Sequence, residues 1–416
     1  MEFCKLTEKE YKVFRDAHPY RTFLNSVEAL RLRAQSGRVE FLGVKDGGVV
    51  VAATPVVIAP AARIYEYWYA QRGFLIDYRN DGLMGFFTAE LKKYAKANKA
   101  MYLRVDPYIR RRARDINGDI VEGGEDNSDI IDIMKRAGFI HESDKPGLNN
   151  VTQSRWMFSL YINGRTAEEL YKQFDEQTRW SINKTVKQGI EVRELGIDEI
   201  DIYTRMMAET AVRRGFPART ADFYRRFMEV YGDHAKLLLA YLDIGTFRSR
   251  LKEARSGLDD DLAEINRKLE STPNNKKLLN KKRVTKEAVA VNERNMRRAD
   301  ELEREHGAIL NMATSCFTVY DNEVLYLFSG TDDTYRGFNG PYAIQWYMIK
   351  YAVEHGIDRY NFYGISGDFS ENAVDRGVYE FKKGFGGEVE ELLGDFLLPV
   401  AGAPFALYRR LKPELI

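Results

Sequence analysis

The chain has 416 residues, nearly balanced charge (63 basic against 62 acidic side chains) and 44% hydrophobic and 12% aromatic content. That length fits two or three domains with real cores, and the composition excludes disorder and nucleic-acid binding through bulk charge, though not through a local basic patch. Two distant cysteines, Cys4 and Cys316, and five scattered histidines without paired spacing exclude a disulfide framework and a thiolate zinc cage and predict no metal or other cofactor. No apolar run reaches the ~18 residues of a membrane span. The longest, Gly47 to Ala62, has strand composition and is broken by Pro55 and Pro60. The amino-terminal MEFCKLTEKEYK lacks the apolar stretch of a signal peptide, so a soluble cytoplasmic protein is expected.

In chain order, Val39 to Val44 alternates like a strand, Asp46-Gly47-Gly48 is a turn, and Val49 to Ile58 and RIYEYWY at 63–69 are further strands. Gly82 to Asn98 places Leu83, Phe86, Phe87, Leu91 and Tyr94 at helical spacing, and Met101 to Val105 is a strand ending at Asp106-Pro107. Arg110 to Ser128 reads as a polar loop, and its Arg110-Arg111-Arg112 cluster as a solvated surface or a phosphate contact. A similar order begins again near 155. SRWMFSLYI at 154–162 is a strand, helical stretches run to Lys187 and cover 198–214 and 220–231, and Ala235 to Leu242 is a strand. Gly307 to Tyr320 and Glu323 to Ser329 form a hairpin around Asp321-Asn322, followed by a helix from Pro341 to His355 and a strand from Asp358 to Tyr363. The fold class is therefore α+β, with two acetyltransferase-like (GNAT-like) subdomains. The first spans 1–150, with about 396–416 packing on it; the second comprises 151–245 and 308–395.

Between the parts of the second lies 246–307, almost without aromatics. Leu251, Ala254, Leu258, Leu262, Ile265 and Leu269 step by three or four, as do Val284, Ala288, Val291, Asn295, Ala299 and Leu302, with Ser271-Thr272-Pro273-Asn274-Asn275 as the turn. This predicts an inserted antiparallel coiled-coil arm. Lys276-Lys277 and Lys281-Lys282-Arg283 suit RNA contact by the arm; a solvated structural hairpin is the competing reading.

Walker, GxGxxG, GxSxG and kinase signatures are missing, and no stretch matches the Q/RxxGxG/A loop that cradles CoA in enzymes of this fold. Asp358-Arg359-Tyr360-Asn361-Phe362-Tyr363-Gly364-Ile365-Ser366-Gly367 resembles a signature of the Fem family of peptidoglycan-bridge aminoacyltransferases (FemA, FemX and MurM type). So do Gly340-Pro341-Tyr342-Ala343-Ile344-Gln345-Trp346, Leu103-Arg104-Val105-Asp106-Pro107-Tyr108, Arg72-Gly73-Phe74-Leu75-Ile76-Asp77-Tyr78 and Phe381-Lys382-Lys383-Gly384. The resemblance covers nearly the whole chain, and the helical arm makes it more similar to the FemA-like members. It implies transfer of Gly, Ala or Ser from an aminoacyl-tRNA to the side-chain amine of a stem peptide, on lipid II, a UDP-linked precursor or a partly built bridge. A CoA-dependent N-acyltransferase and a non-catalytic tRNA-binding protein are the alternatives. A lipid-linked acceptor implies peripheral attachment at the inner membrane face, with Ala401 to Lys412 as a short basic surface helix, and the exposed arm suits a homodimer.

A lysine amine near pKa 10.4 lies about 3.4 units from neutrality at pH 7, or about 4.6 kcal/mol, which a site must offset. Asp106, at a strand end before a proline, is the candidate proton acceptor; a plain turn-former is its bland reading, and the substrate's own groups are equally able to take the proton. By resemblance, Phe381 stacks on the donor's terminal adenine, while Lys382 meets a phosphate or polarises the ester carbonyl, with Lys383 as its alternative. Arg213 and Arg219 match arginines that grip the acceptor's phosphates. A first-subdomain lysine of the family has no clean counterpart; Leu30 or Arg31 falls there, and Arg31 or Arg33 could serve instead. Tyr326 and Tyr342 suit either the cleft or the core.

Overall fold

The computed structural model describes all residues except Gln35, Ser36, Arg63, 143–146, 148–151 and 413–416. Its strands are β1 (Glu2–Lys5), β2 (Arg38–Asp46), β3 (Val49–Ala62), β4 (Tyr65–Ala70), β5 (Ala100–Val105), β6 (Arg110–Ala113), β7 (Ile140–His141), β8 (Trp156–Tyr161), β9 (Glu191–Glu194), β10 (Ala235–Asp243), β11 (Ile309–Tyr320), β12 (Glu323–Thr331), β13 (Arg359–Ile365), β14 (Glu388–Leu392) and β15 (Phe396–Pro399). They form a seven-stranded sheet, β1-β2-β3-β4-β5-β15-β7, and an eight-stranded sheet, β6-β14-β8-β13-β12-β11-β10-β9.

Both sheets follow one plan. Antiparallel β2-β3-β4 leads through the helix Asp81–Ala97 into β5, parallel to β4. Antiparallel β10-β11-β12 leads through the helix Gly340–Glu354 into β13, parallel to β12. The first crossover helix starts where the Asn80 side chain accepts from the Leu83 amide, and it buries Leu83, Met84, Phe87 and Leu91 against Trp68, Leu103 and Val105. The second has Pro341 in its first turn and buries Ile344, Met348, Ile349 and Ala352.

The halves exchange strands. β15 pairs with β5 and β7 in the first sheet, and β6 pairs with β14 in the second. The predicted loop at Arg110 is thus an edge strand of the other sheet. The reason is charge: Arg110 Nη1 lies 2.7 Å from Glu388, Arg111 Nη1 3.2 Å from Glu391 and Arg114 Nη2 2.7 Å from Glu391. Arg359 sits between Glu323, at 3.3 Å, and Glu390, and donates to the Tyr108 hydroxyl at 2.8 Å. A further apolar cluster joins Phe23, Leu24 and Ala29 to Tyr224, Phe227 and Tyr231 across the two halves.

Two long helices, Ile244–Ser271 and Lys276–His306, leave the second sheet between β10 and β11 and pack against each other. Leu251, Ala299 and Leu302 anchor their base, and Arg255 meets Glu293 at 2.7 Å further out. Leu279, Val284 and Val291 remain exposed. The carboxy-terminal segment forms the helix Gly402–Leu411, whose Phe405 packs on Tyr102 of the first sheet. No described helix is long and apolar enough to cross a membrane.

Candidate functional site

Alternation along β4 and β5 sends Trp68, Leu103 and Val105 into the core and Tyr67, Tyr69 and Arg104 to the opposite face, where Asp106 follows at the strand end. Asp106 is 2% exposed. Its Oδ1 accepts the Arg72 backbone N–H at 2.8 Å, and its Oδ2 lies 3.5 Å from Arg72 Nη1. The Tyr69 hydroxyl faces the carboxylate without completing hydrogen-bond geometry. Burial pushes the Asp106 carboxyl up to about 6; Arg72 opposes the rise and the nearby Asp395 carboxylate adds to it. Around it, the hydroxyls of Tyr67 and Tyr69, the Gln71 amide and part of the Arg104 guanidinium are buried without a partner among the described residues. An unmatched buried polar group costs about 1–3 kcal/mol, so a row of them marks a surface built to receive a polar ligand.

From the other half, Lys382 is 4% exposed at the end of the helix Arg376–Lys383. Its Nζ donates to the carbonyls of Tyr363 at 3.2 Å and Gly364 at 2.5 Å. Burial pulls its ammonium down to about 7, which the Asp375 carboxylate partly offsets. Those carbonyls are presented by a bulge in β13. The register with β8 shifts between Asn361 and Gly364, and Tyr363 takes a φ of 63° while its N–H donates to Asn361 Oδ1 at 2.7 Å. Tyr363 also donates from its hydroxyl to Gln153, and it feels the charges of Arg72, Asp106 and Arg33.

Asp106 and its partner Arg72, from one half, thus lie within electrostatic reach of Tyr363, whose backbone carbonyl accepts from Lys382 in the other. The Tyr108 ring lies 5.6 Å from the Arg72 guanidinium and 5.5 Å from that of Arg359. Arg72 and Tyr363 fall within the motifs that resemble the family's, but nothing in the sequence alone assigns either a role. Their importance arises from a bulge and from a strand-end contact, and neither feature has a local sequence signal.

The remaining candidates divide into three groups. Phe381 is half-buried, packed edge-on to Tyr342 at 4.9 Å and to Phe385 at 5.5 Å, so Tyr342 belongs to the aromatic wall beside Lys382. Lys383 turns away over the Tyr379 ring at 5.6 Å. Arg213, Arg219 and Tyr326 gather along β12. Arg213 donates to Thr331 Oγ1 at 2.8 Å and pairs with Asp333 at 3.3 Å, and Arg219 lies over Phe223 at 4.4 Å and Phe328 at 5.1 Å. Tyr326 stacks on Phe317 at 5.2 Å. Arg31 stands apart, exposed and paired with Glu8 at 2.6 Å, whereas Arg33 is the cation of that helix near Tyr363. A helix places residues two apart on different faces, so a register shift of two positions exchanges a surface pair for a site neighbour. Among the described residues no group of His, Cys, Asp and Glu could hold a metal ion.

The model of the FemAB family matches residues 6–413. "Aminoacyltransferase FemA" of Staphylococcus aureus strain bovine RF122 / ET3-1 is 36% identical over 414 residues, covering 99% of this chain and 98% of that protein. The protein of the same name from strain N315 is also 36% identical over 414 residues. The crystal structure of FemX superposes with a TM-score of 0.79 at 24% identity, covering 98% of this chain and 99% of that one, and so shares its fold. Together with the doubled fold, these likenesses define an acyltransferase. More particularly, the chain belongs to the FemAB family.

Proposed function

We propose that this protein transfers an amino acid, Gly, Ala or Ser, from an aminoacyl-tRNA to the side-chain amine of a peptidoglycan stem peptide, on lipid II or a partly built bridge. The observation that supports this reading best is the buried arrangement of Asp106, Arg72 and Lys382 around Tyr363. It sets a carboxylate with a raised pKa and an ammonium with a lowered one on either side of Tyr363. An amine attacking an ester needs a proton acceptor near the nucleophile and a positive donor near the developing oxyanion. Asp106 serves the first need and Lys382 the second or the donor's phosphate, while Phe381 gives the terminal adenine a stacking face. The ribose ester already activates the acyl group, so no nucleotide cofactor enters the step. Arg213, Arg219 and Arg33 supply cations for the acceptor's phosphates, with Arg213 exchanging its pair to Asp333 for them. Acceptance of a lipid-linked substrate places the protein against the inner membrane face.

The test is reconstitution. Purified protein is offered lipid II, with or without a first bridge residue, together with tRNA charged separately with Gly, Ala or Ser, and product masses are read. A mass increase of one residue with one of the three is expected. No product with any pairing overturns the assignment.

A further inference from the structure

The helix Glu176–Gln188 lies beside the candidate donor site and plays no part in the proposed reaction. Its start is tied to that site. The Asp175 amide donates to the Gly384 carbonyl at 2.9 Å, and Ser181 lies beside Tyr342, which packs on Phe381. Its other end reaches the base of the arm, where Arg250 donates to the Val186 carbonyl at 2.8 Å. The helix also packs on the crossover helix Gly340–Glu354.

Its outer face carries an unusual set of side chains. Trp180 is 54% exposed, and Lys184 Nζ sits 4.8 Å from the centroid of its ring. Glu176, Gln177 and Trp180 line an open recess of about 480 Å³. Gln177, Trp180, Lys184 and Lys187 follow one another at steps of three and four, which places them in one stripe about 15 Å long. Lys184 and Lys187 make no ion pair with a described carboxylate. A lysine over one face of a half-exposed indole leaves the other face open to a planar partner.

We propose that Gln177, Trp180, Lys184 and Lys187 form a second stacking platform for single-stranded RNA, which carries the donor's unpaired 3′ segment from Phe381 toward the base of the arm. This rests on the tRNA-donor reading above. Two features favour RNA as the occupant. The stripe begins at Gln177, whose amide donates to Ser181 at 3.3 Å beside the Tyr342 that packs on Phe381, and it sets an amide and an aromatic face ahead of two cations, a combination that suits bases and backbone together. Base stacking on the indole accounts for affinity without sequence preference, and Lys184 and Lys187 meet successive phosphates.

The probe is uncharged tRNA, intact or trimmed of its unpaired 3′ nucleotides, titrated against the full-length protein by fluorescence anisotropy and by tryptophan quenching. Trp180→Ala is expected to weaken binding of intact tRNA about tenfold and to remove most of the quench, within the range for loss of one stacked base. Trp180→Phe keeps a planar ring and is expected to stay within about threefold of the wild type. The trimmed tRNA is expected to bind wild type and Trp180→Ala alike. The double change Lys184→Ala and Lys187→Ala is expected to lower the salt slope of log K by about 1.4, at about 0.7 per single-strand phosphate contact. Wild-type affinity and quench in Trp180→Ala, or an unchanged salt slope in the lysine double variant, overturns the platform while leaving the donor reading intact. Failure of the wild type to bind tRNA at all overturns both.

Discussion

Asp106 and Lys382 both titrate much closer to neutrality than their ordinary values. Buried surroundings disfavour charge on each, so the carboxyl titrates at about 6 and the ammonium at about 7. Above pH 6 Asp106 is a carboxylate able to take a proton; below it the group is neutral and cannot. The rate of transfer is therefore expected to rise through pH 6, and Asp106→Asn is expected to lower kcat/KM about 10²-fold and to erase that inflection. A pH profile of the variant that keeps the inflection would assign it to another group. Lys382 works in the reverse sense, since it loses its positive charge above about pH 7. Lys382→Ala is expected to slow transfer by about 10²–10³, as for removal of one oxyanion donor, and to flatten the decline on the alkaline side. Turnover equal to the wild type would remove the residue from the site. Arg33 shows how far residue-scale reading reaches. The resemblance implies a cation near Leu30 and Arg31, and which arginine of the helix approaches Tyr363 depends on helix phase.

At the scale of elements, the long periodic segments were legible. The crossover helices, the β2-β3 and β11-β12 hairpins and the two arm helices carry their spacing openly. The short exchanged strands were not. β14 reads Glu-Val-Glu-Glu-Leu and β6 reads Arg-Arg-Arg-Ala, each too charged to look like a strand until the two are set side by side. The helix Glu8–Ala17 did have a signal, the capping box of Thr7 and Glu10, and a search for that pattern would have found it. The charged seam between β6, β13 and β14 also makes a prediction. Arg359→Met leaves Glu323 and Glu390 buried without their shared cation, and breaking such a pair costs about 3–5 kcal/mol. Urea unfolding should show a loss of that order. A loss below about 1 kcal/mol would mean that the seam relaxes by letting in water.

The whole molecule is two similar halves made interdependent by exchange. β6 lies in the half whose chain begins later, and β15 returns to complete the first sheet, so neither sheet is whole without the other's segment. In the proposed reaction, that interdependence ties the half bearing Asp106 to the half bearing Lys382. The arm is different. Its base is part of the second half through Phe247, Leu251, Ala299 and Leu302, while beyond the Arg255–Glu293 pair its side chains are mostly exposed. Removing residues 259–289 and joining the shortened helices by a short turn keeps Leu251, Asn292 and Glu293 in place, and it takes away few buried groups, Ile265 and Thr285 among them. The melting temperature is expected to stay within about 3 °C of the full chain, since a chain of this size shifts only a few degrees per kcal/mol. A larger fall would show that the outer arm stabilises the sheets. With stability unchanged, tRNA affinity separates the two roles of the arm: Lys276, Lys277, Lys281 and Arg283, all exposed, and the half-buried Lys282 lie in the deleted stretch. If they contact RNA, the salt slope of binding must fall with them.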